Sequence, residues 1–304
     1  MIRPLHFVDV AVLLLFLGKS PGEEARTRDR FGRGGRDIQL FFTLLMSCLI
    51  ARDRLHSVVY SRQGLIQGLG CLRRRGGPDA WEIEHLLLAP GNHEFCVDLL
   101  EGLGVAGDKI GGERVFLRLD SGSSLADIAR QAGFGHYLTE FLYRREGTPQ
   151  SEPPRPLSTL RPRSPADDHG LFRLYSAAVP LQVRTAEGMT FSEWCQSWER
   201  PAAREYVCEK EGDVSAWLRI RFDGKAGQFD MVTTLEGTEL AELVKSSLSL
   251  LKGRHPIYCV VPEFQLQVRH VLEEQGFHQV AEYSCLGKHR AIRVREPRLV
   301  PLRA

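Results

Sequence analysis

The sequence of 304 residues lacks most features that would mark a specialised class of protein. Its seven cysteines include no Cys-x-x-Cys pair, which argues against a disulfide framework and a thiolate zinc site and is typical of a reducing compartment. The net charge is only +2, so no concentrated basic surface for nucleic acid is expected. The apolar runs 10–17 and 40–51 are shorter than the roughly 20 residues that span a bilayer. We therefore expect a cytoplasmic protein with no nucleic-acid or membrane partner.

The most informative feature present is a pattern of elements that occurs twice. In each half a β-rich stretch leads to a helix, an apolar strand and a second helix that ends on Gly-Phe. The first copy comprises a strand over 80–89, a strand over 113–119 and a helix ending at Gly133-Phe134. The second comprises strands over 226–234 and 256–261 and a helix ending at Gly276-Phe277. The repeat predicts two domains of similar architecture.

The boundary between the halves is a segment rich in proline. Residues 147–157 contain four prolines separated by polar residues, a composition that suits an exposed linker. We therefore predict an N-terminal domain over 1–146 and a C-terminal domain over 158–304. Each would be large enough to bury its own core.

Further helices are expected early in each half. The first half is predicted to contain helices over 6–17 and 37–52, joined by an arginine-rich loop over 20–36. A helix after Pro90-Gly91 should end at Gly104 or Gly107. In the second half, helices are predicted over 171–179 and 189–198.

The order of elements resembles the GNAT acyltransferase fold, used twice. The segments Ala126-Asp-Ile-Ala-Arg-Gln-Ala-Gly-Phe134 and Val268-Arg-His-Val-Leu-Glu-Glu-Gln-Gly-Phe277 resemble the family's segment before its terminal strands. The resemblance implies an α/β fold with a mixed sheet in two tandem domains. It also implies acetyl-CoA or another acyl-CoA as co-substrate, and a small-molecule or peptide amine as the acyl acceptor.

The resemblance also implies where the site would lie. In the family, the coenzyme's pantetheine arm pairs with the fourth strand where that strand diverges from the fifth, and its phosphates lie at the start of the next helix. In the first half these positions are occupied by Leu86, Leu87 and Leu88, and then by Gly91, Asn92 and His93. Glu84 or His85 would act as general base on the amine. The ordinary alternative for Glu84 and His85 is a polar position in an alternating strand.

The first half is favoured for the cofactor because the second half has Glu236 and Glu239 around its single Gly237, where they would repel a pyrophosphate. Both halves depart from the family pattern. Ala129 and Leu272 stand where a proton-donating tyrosine is common, and Gln265 is the nearest substitute for the usual asparagine. An inactive tandem fold that binds a ligand or protein, or serves only as a structural module, is therefore the alternative to an enzyme.

Three other groups of residues are candidates for a function. The arginines of 26–36 could bind an anionic substrate or belong to a solvated loop. Phe191, Trp194 and Trp198 share one helical face, which is typical of core or interdomain packing. Glu84, His85, His93 and Cys96 match no metal-ligand spacing, so no metal is expected.

Overall fold

A computed structural model describes residues 1–19, 21–31, 55–90, 94–147, 159–197 and 204–289. Within these ranges the chain forms one sheet of 13 strands and eight α-helices. The strands are β1 (Ile2–Pro4), β2 (Gly22–Glu23), β3 (Leu55–Arg62), β4 (Leu65–Arg74), β5 (Ala80–Leu88), β6 (Arg114–Asp120), β7 (Gly135–Arg145), β8 (Leu160–Pro162), β9 (Arg204–Lys210), β10 (Asp213–Asp223), β11 (Ala226–Thr233), β12 (Ile257–Pro262) and β13 (His278–His289). The helices are α1 (Val10–Gly18), α2 (Cys96–Lys109), α3 (Leu125–Gln131), α4 (Asp168–Ala178), α5 (Leu181–Glu187), α6 (Phe191–Ser197), α7 (Gly237–Leu250) and α8 (Leu266–Glu274).

The two halves share the sheet by exchanging their last strands. The strand order is β1-β3-β4-β5-β6-β13-β7-β12-β11-β10-β9-β8, with β2 also paired to β5. The last strand of the second half, β13, therefore pairs with β6 of the first half from Tyr283 to His289. In the same way β7 of the first half pairs with β12 of the second. The fold is a mixed α/β arrangement, as the sequence predicts.

The helices pack on the sheet in groups that bury separate cores. Leu99, Leu103 and Phe134 belong to a core formed by α2, α3 and the first-half strands. Leu243 and Leu272 belong to the corresponding core under α7 and α8. A third core joins the halves, because side chains of α4, α5 and α6 pack with residues of β6 and β7. Burial of apolar surface at about 25 cal/mol per Å² makes these cores the main source of stability.

The two Gly-Phe segments end helices in the same way. Gly133 and Gly276 have φ values of +87° and +80°, a left-handed conformation that glycine adopts at little cost. The N–H of Phe134 then donates to the carbonyl of Ala129 at 3.0 Å, and Phe277 donates to Leu272 at the same distance. The predicted repeat is thus present as repeated structure.

Some element boundaries differ from the predictions. Helix α2 runs through Gly104 and Gly107, where Val115 packs 3.1 Å from the place a Cβ of Gly107 would take. The helix predicted over 189–198 is present as α6, and the short helix α5, which was not predicted, precedes it; Gly188, with a φ of +148°, separates the two. The predicted helix over 37–52 and nearly all of the linker lie outside the described residues. No helix in the described ranges is both long and apolar enough to cross a membrane.

Candidate functional site

In the first half, the fourth and fifth strands diverge. β5 and β6 are parallel neighbours over only three pairs, from Ala80–Arg114 to Glu82–Phe116. Beyond Glu82 the two strands separate, which leaves the backbone of Ile83 to Leu88 with an edge that β6 does not cover. This is the cleft in which the resemblance to the GNAT fold implies the cofactor arm would lie.

Residues 21–31, which we call the inserted segment, fill this cleft. Strand β2 pairs with β5 at Leu87 and Leu88. The N–H of Glu24 donates to the carbonyl of Leu86 at 2.9 Å, and the N–H of Arg26 donates to the carbonyl of Arg118 at 2.8 Å. The inserted segment therefore bridges the two diverging strands through its own backbone.

Side chains of the inserted segment complete the closure. The Glu23 carboxylate accepts the N–H of Leu86 at 2.9 Å and lies 2.6 Å from Nδ1 of His85. Arg30 donates to the carbonyl of Glu84 and lies 2.9 Å from the same His85 nitrogen. Burial raises the pKa of Glu23, but His85 and Arg30 outweigh burial and hold that pKa below its ordinary value. The interpretation of residues 20–36 as a solvated loop does not hold for the inserted segment, since Ala25 and Thr27 are fully buried.

The predicted site residues of the first half thus have protein partners. Glu84 forms an ion pair with Arg73 at 3.1 Å, and His85 contacts Glu23. Leu86, Leu87 and Leu88 are buried. The remaining predicted cofactor positions, Gly91, Asn92 and His93, lie outside the described residues. The roles assigned to these eight residues stay predictions.

In the second half, the corresponding strands also diverge. β11 and β12 are paired from Gly227–Ile257 to Asp230–Val260 and then separate. The side-chain amide of Gln265 lies in the opening: it donates to the carbonyl of Met231 and accepts the N–H of Thr233, both at 3.1 Å. Among the described residues, the side chain of Gln265 thus lies in this cleft, where the first half has an eleven-residue segment.

On one side of this divergence lies an open groove of about 790 Å³ between the start of α7 and helix α8. Its size is within the range of small-molecule sites. The side chain of Glu236, the N-cap residue of α7, makes no capping hydrogen bond, and the groove begins at this helix N-terminus. Glu236, Glu274 and His270 line the groove. Glu239 is close to it, but its charge is compensated by Lys210 at 2.9 Å.

A second, more enclosed cavity of about 90 Å³ lies between α4, α5, α6 and the sheet. Its wall is largely apolar and aromatic, with Tyr175, Trp194, Trp217 and Phe264 among the rings. Met231 and Val232 of the diverging part of β11 also line it. The charged residues in the wall are Arg28, Arg75, Glu187, Arg219 and Asp230. Arg28 and Arg75 come from the first half, so this cavity is built by both halves.

Asp230 is the most heavily paired acid of the cavity. Arg219 and Arg221 donate to it at 2.6 Å, and Arg28 reaches it at 3.3 Å. Burial raises the pKa of Asp230, but these three guanidiniums outweigh burial and hold the pKa below its ordinary value. Asp230 is therefore ionised at neutral pH and already engaged with protein cations.

Glu187 lies in a different setting, at the end of α5. Its Oε1 accepts the hydroxyl of Tyr137 at 3.4 Å. Burial raises the pKa of Tyr137, and the nearby Glu187 charge raises it further. The tyrosine thus stays a neutral hydrogen-bond donor, and Glu187 presents a carboxylate to an aromatic cavity.

The sequence indicated only part of this site. It marked the arginines of 26–36, of which Arg28 reaches the cavity, and the ring of Trp194, which is buried in the core that joins the halves. It did not mark Arg75, Glu187, Arg219 or Asp230. The signal available was the presence of Arg219, Arg221 and Asp230 in strands otherwise rich in apolar residues, where an ionised side chain needs a buried partner.

Comparisons with known proteins agree on the fold. No protein-family model and no curated protein matches the sequence. A GCN5-related N-acetyltransferase from Sphaerobacter thermophilus has a TM-score of 0.57 and 13% identity, with 95% of each chain covered. A tandem GNAT protein from the clavulanic acid biosynthesis pathway has a TM-score of 0.54 and 14% identity, with 95% of this chain and 98% of that chain covered.

These likenesses define the architecture. The chain has the GNAT acetyltransferase fold, in the tandem form that the sequence repeat predicts. At 13–14% identity they show the fold alone and carry no substrate to this chain.

Proposed function

We propose that the protein binds an acyl-CoA in its second half and transfers the acyl group to an amine. The groove beside α7 and α8 would take the coenzyme, and the enclosed cavity would take the acceptor. The first half would not bind coenzyme, because the inserted segment already fills its cleft and bonds to the backbone of β5 there.

The observation that carries the proposal is the contrast between the two clefts. In the first half, backbone and side-chain groups of residues 22–30 bond to β5 and β6 over the diverging region. In the second half, the diverging part of β11 bonds to the side chain of Gln265, residues 231 and 232 of β11 line a cavity, and an open groove lies between the start of α7 and α8.

Glu187 is the residue we assign to proton transfer. An amine attacks a thioester only in its neutral form, so a base must take its proton before or during attack. Asp230 is a poor base because three arginines hold its pKa low. Glu187 lines the same cavity with a tyrosine hydroxyl as its hydrogen-bond partner.

The test compares two carboxylates in a thiol-release assay with acetyl-CoA and a panel of amines. Glu187→Gln should lower kcat by about 10²- to 10⁴-fold, the range for loss of a general base, and leave acetyl-CoA affinity unchanged. Glu84→Gln is the matched control in the first half and should leave turnover unchanged. The reverse pattern would support the site predicted from the sequence, at Glu84 and His85.

A binding role without catalysis is the second candidate, and particular residues favour it. Ala129 and Leu272 stand at the position where the family has tyrosine, and neither side chain has a proton to donate. Glu236 also adds a negative charge at the start of α7. Under this alternative, acetyl-CoA binds but no amine releases thiol, and Glu187→Gln has no effect. Absence of acetyl-CoA binding at millimolar concentration would contradict the acyltransferase proposal itself.

A further inference from the structure

The side chain of Gln265 lies where a strand next to β11 would otherwise continue. β12 is the parallel partner of β11 only as far as Asp230. Beyond that pair, the Gln265 amide donates to the carbonyl of Met231 and accepts the N–H of Thr233, both at 3.1 Å. In a parallel ladder, a residue of the neighbouring strand makes these same two bonds to positions two residues apart. The Gln265 amide therefore replaces one residue of a missing strand.

The backbone groups that Gln265 satisfies are buried. Met231 is 4% exposed, Thr233 is 9% exposed, and Gln265 itself is 8% exposed. A buried backbone N–H or carbonyl without a partner costs free energy, so this strand edge needs a partner when no ligand is bound. In the first half, the backbone of the inserted segment meets the same need, since Glu24 donates to the carbonyl of Leu86. A single side chain can rotate away, whereas the inserted segment is bonded to two strands.

Gln265 also lies at the boundary between the two spaces of the second half. Phe264, the residue before it, lines the enclosed cavity, and Leu266, the residue after it, lines the open groove. The same change occurs along the chain that leaves β11, where Val232 lines the cavity and Glu236 lines the groove. Gln265 therefore bonds to β11 at the point where both segments pass from the cavity to the groove.

We propose that Gln265 is a displaceable gate between the groove and the cavity. In the unliganded protein its amide closes the strand edge, and an extended arm that carries amide groups displaces it and takes over the bonds to Met231 and Thr233. The pantetheine arm of an acyl-CoA has this chemistry, because its amides lie between the phosphates and the thioester. Displacement of Gln265 would let the thioester pass from the groove to an amine in the cavity. This inference rests on the proposed function, since that function assigns the two spaces to coenzyme and acceptor.

The first measurement needs no ligand and follows hydrogen–deuterium exchange at the N–H of Thr233. Gln265→Ala removes the acceptor of this N–H, so its exchange should become about 10-fold faster, the size expected for loss of one hydrogen bond. Gln265→Met keeps the length of the side chain but lacks the amide, so it should show the same gain in exchange and keep the turn packed. Gln267→Ala, at an exposed glutamine in the groove wall, is the matched control and should leave this exchange unchanged. Unchanged exchange in both Gln265 variants would overturn the proposal.

The second measurement is a calorimetric titration with acetyl-CoA and with pantetheine, which carries the amides of the arm but no phosphate. In Gln265→Ala the arm has no side chain to displace, so both ligands should bind about 10-fold tighter than to wild type. Gln267→Ala should bind both ligands as wild type does. Bound ligand should also restore slow exchange at Thr233 in Gln265→Ala, because an amide of the arm then replaces the lost partner.

The outcomes separate the gate from the proposed function. If acetyl-CoA binds and Gln265→Ala gains no affinity, or the ligand does not slow exchange at Thr233, the gate is overturned and the proposed function stands. If acetyl-CoA binds neither protein but pantetheine binds Gln265→Ala more tightly than wild type, the gate stands and the proposed function fails. Binding of neither ligand to either protein contradicts both.

Discussion

At the scale of single residues, the cavity depends on ion pairs that are costly to break. Asp230 is almost fully buried and is contacted by three arginines. Asp230→Asn would leave those guanidiniums without their shared anion. We expect it to lower the free energy of unfolding at pH 7 by about 3–5 kcal/mol, as is usual when one partner of a buried pair is removed. Urea unfolding at several pH values measures the effect.

The stability lost in Asp230→Asn should depend on pH, and the sign follows from the pKa of Asp230. This pKa is lower in the folded protein than its ordinary value. The ionised carboxylate therefore stabilises the fold above the unfolded pKa of about 3.9. That contribution is lost as pH falls below this value and through the folded pKa, so the difference between wild type and Asp230→Asn should shrink in acid. Asp127→Asn, at a solvent-exposed pair with Arg130, is the control and should cost about 0.5 kcal/mol or less. A pH-independent loss at Asp230 would contradict this assignment of charge.

At the scale of secondary-structure elements, the exchange of β7 and β13 joins the halves more closely than a linker could. β6 needs β13 as its neighbour, and β12 needs β7. We expect neither a fragment of residues 1–146 nor one of 158–304 to fold alone, because each would expose an unpaired strand edge and part of the shared core. Circular dichroism and gel filtration of the separate and mixed fragments measure this. Folding of either fragment by itself, with native-like cooperativity, would contradict the account.

The periodicity of apolar residues in the sequence predicted the strands and helices well wherever the pattern of apolar and polar side chains decides the structure. The strands predicted over 80–89, 113–119, 226–234 and 256–261 and the two Gly-Phe helix ends all lie within a few residues of their predicted places. The exchange of strands between the halves was not predictable. β7 and β13 have similar apolar patterns, and no local feature of the sequence specifies which strand each one pairs with. That residues 21–31 insert between β5 and β6 was not predictable either, for a similar reason. Its arginines are typical of a surface loop unless buried carboxylates are known to face them.

At the scale of the whole molecule, two copies of one fold have different roles in this account. The first copy is closed by its own chain and contributes Arg28 and Arg75 to a cavity of the second. The second copy keeps a groove at a helix start beside diverging strands. The sequence predicted the duplication, and Gly91 together with the acidic residues around Gly237 favoured the first copy for the cofactor. The contacts of the inserted segment, which the sequence could not reveal, favour the second.

The affinity for acetyl-CoA of two matched variants tests this division most directly. Thr238→Glu places a negative charge in the first turn of α7, where it suits the helix but repels a pyrophosphate. His93→Glu does the same at the phosphate position predicted for the first half. Calorimetric titration should show acetyl-CoA binding lost in Thr238→Glu and unchanged in His93→Glu. Binding that is lost in His93→Glu and kept in Thr238→Glu would contradict the account and place the cofactor in the first half.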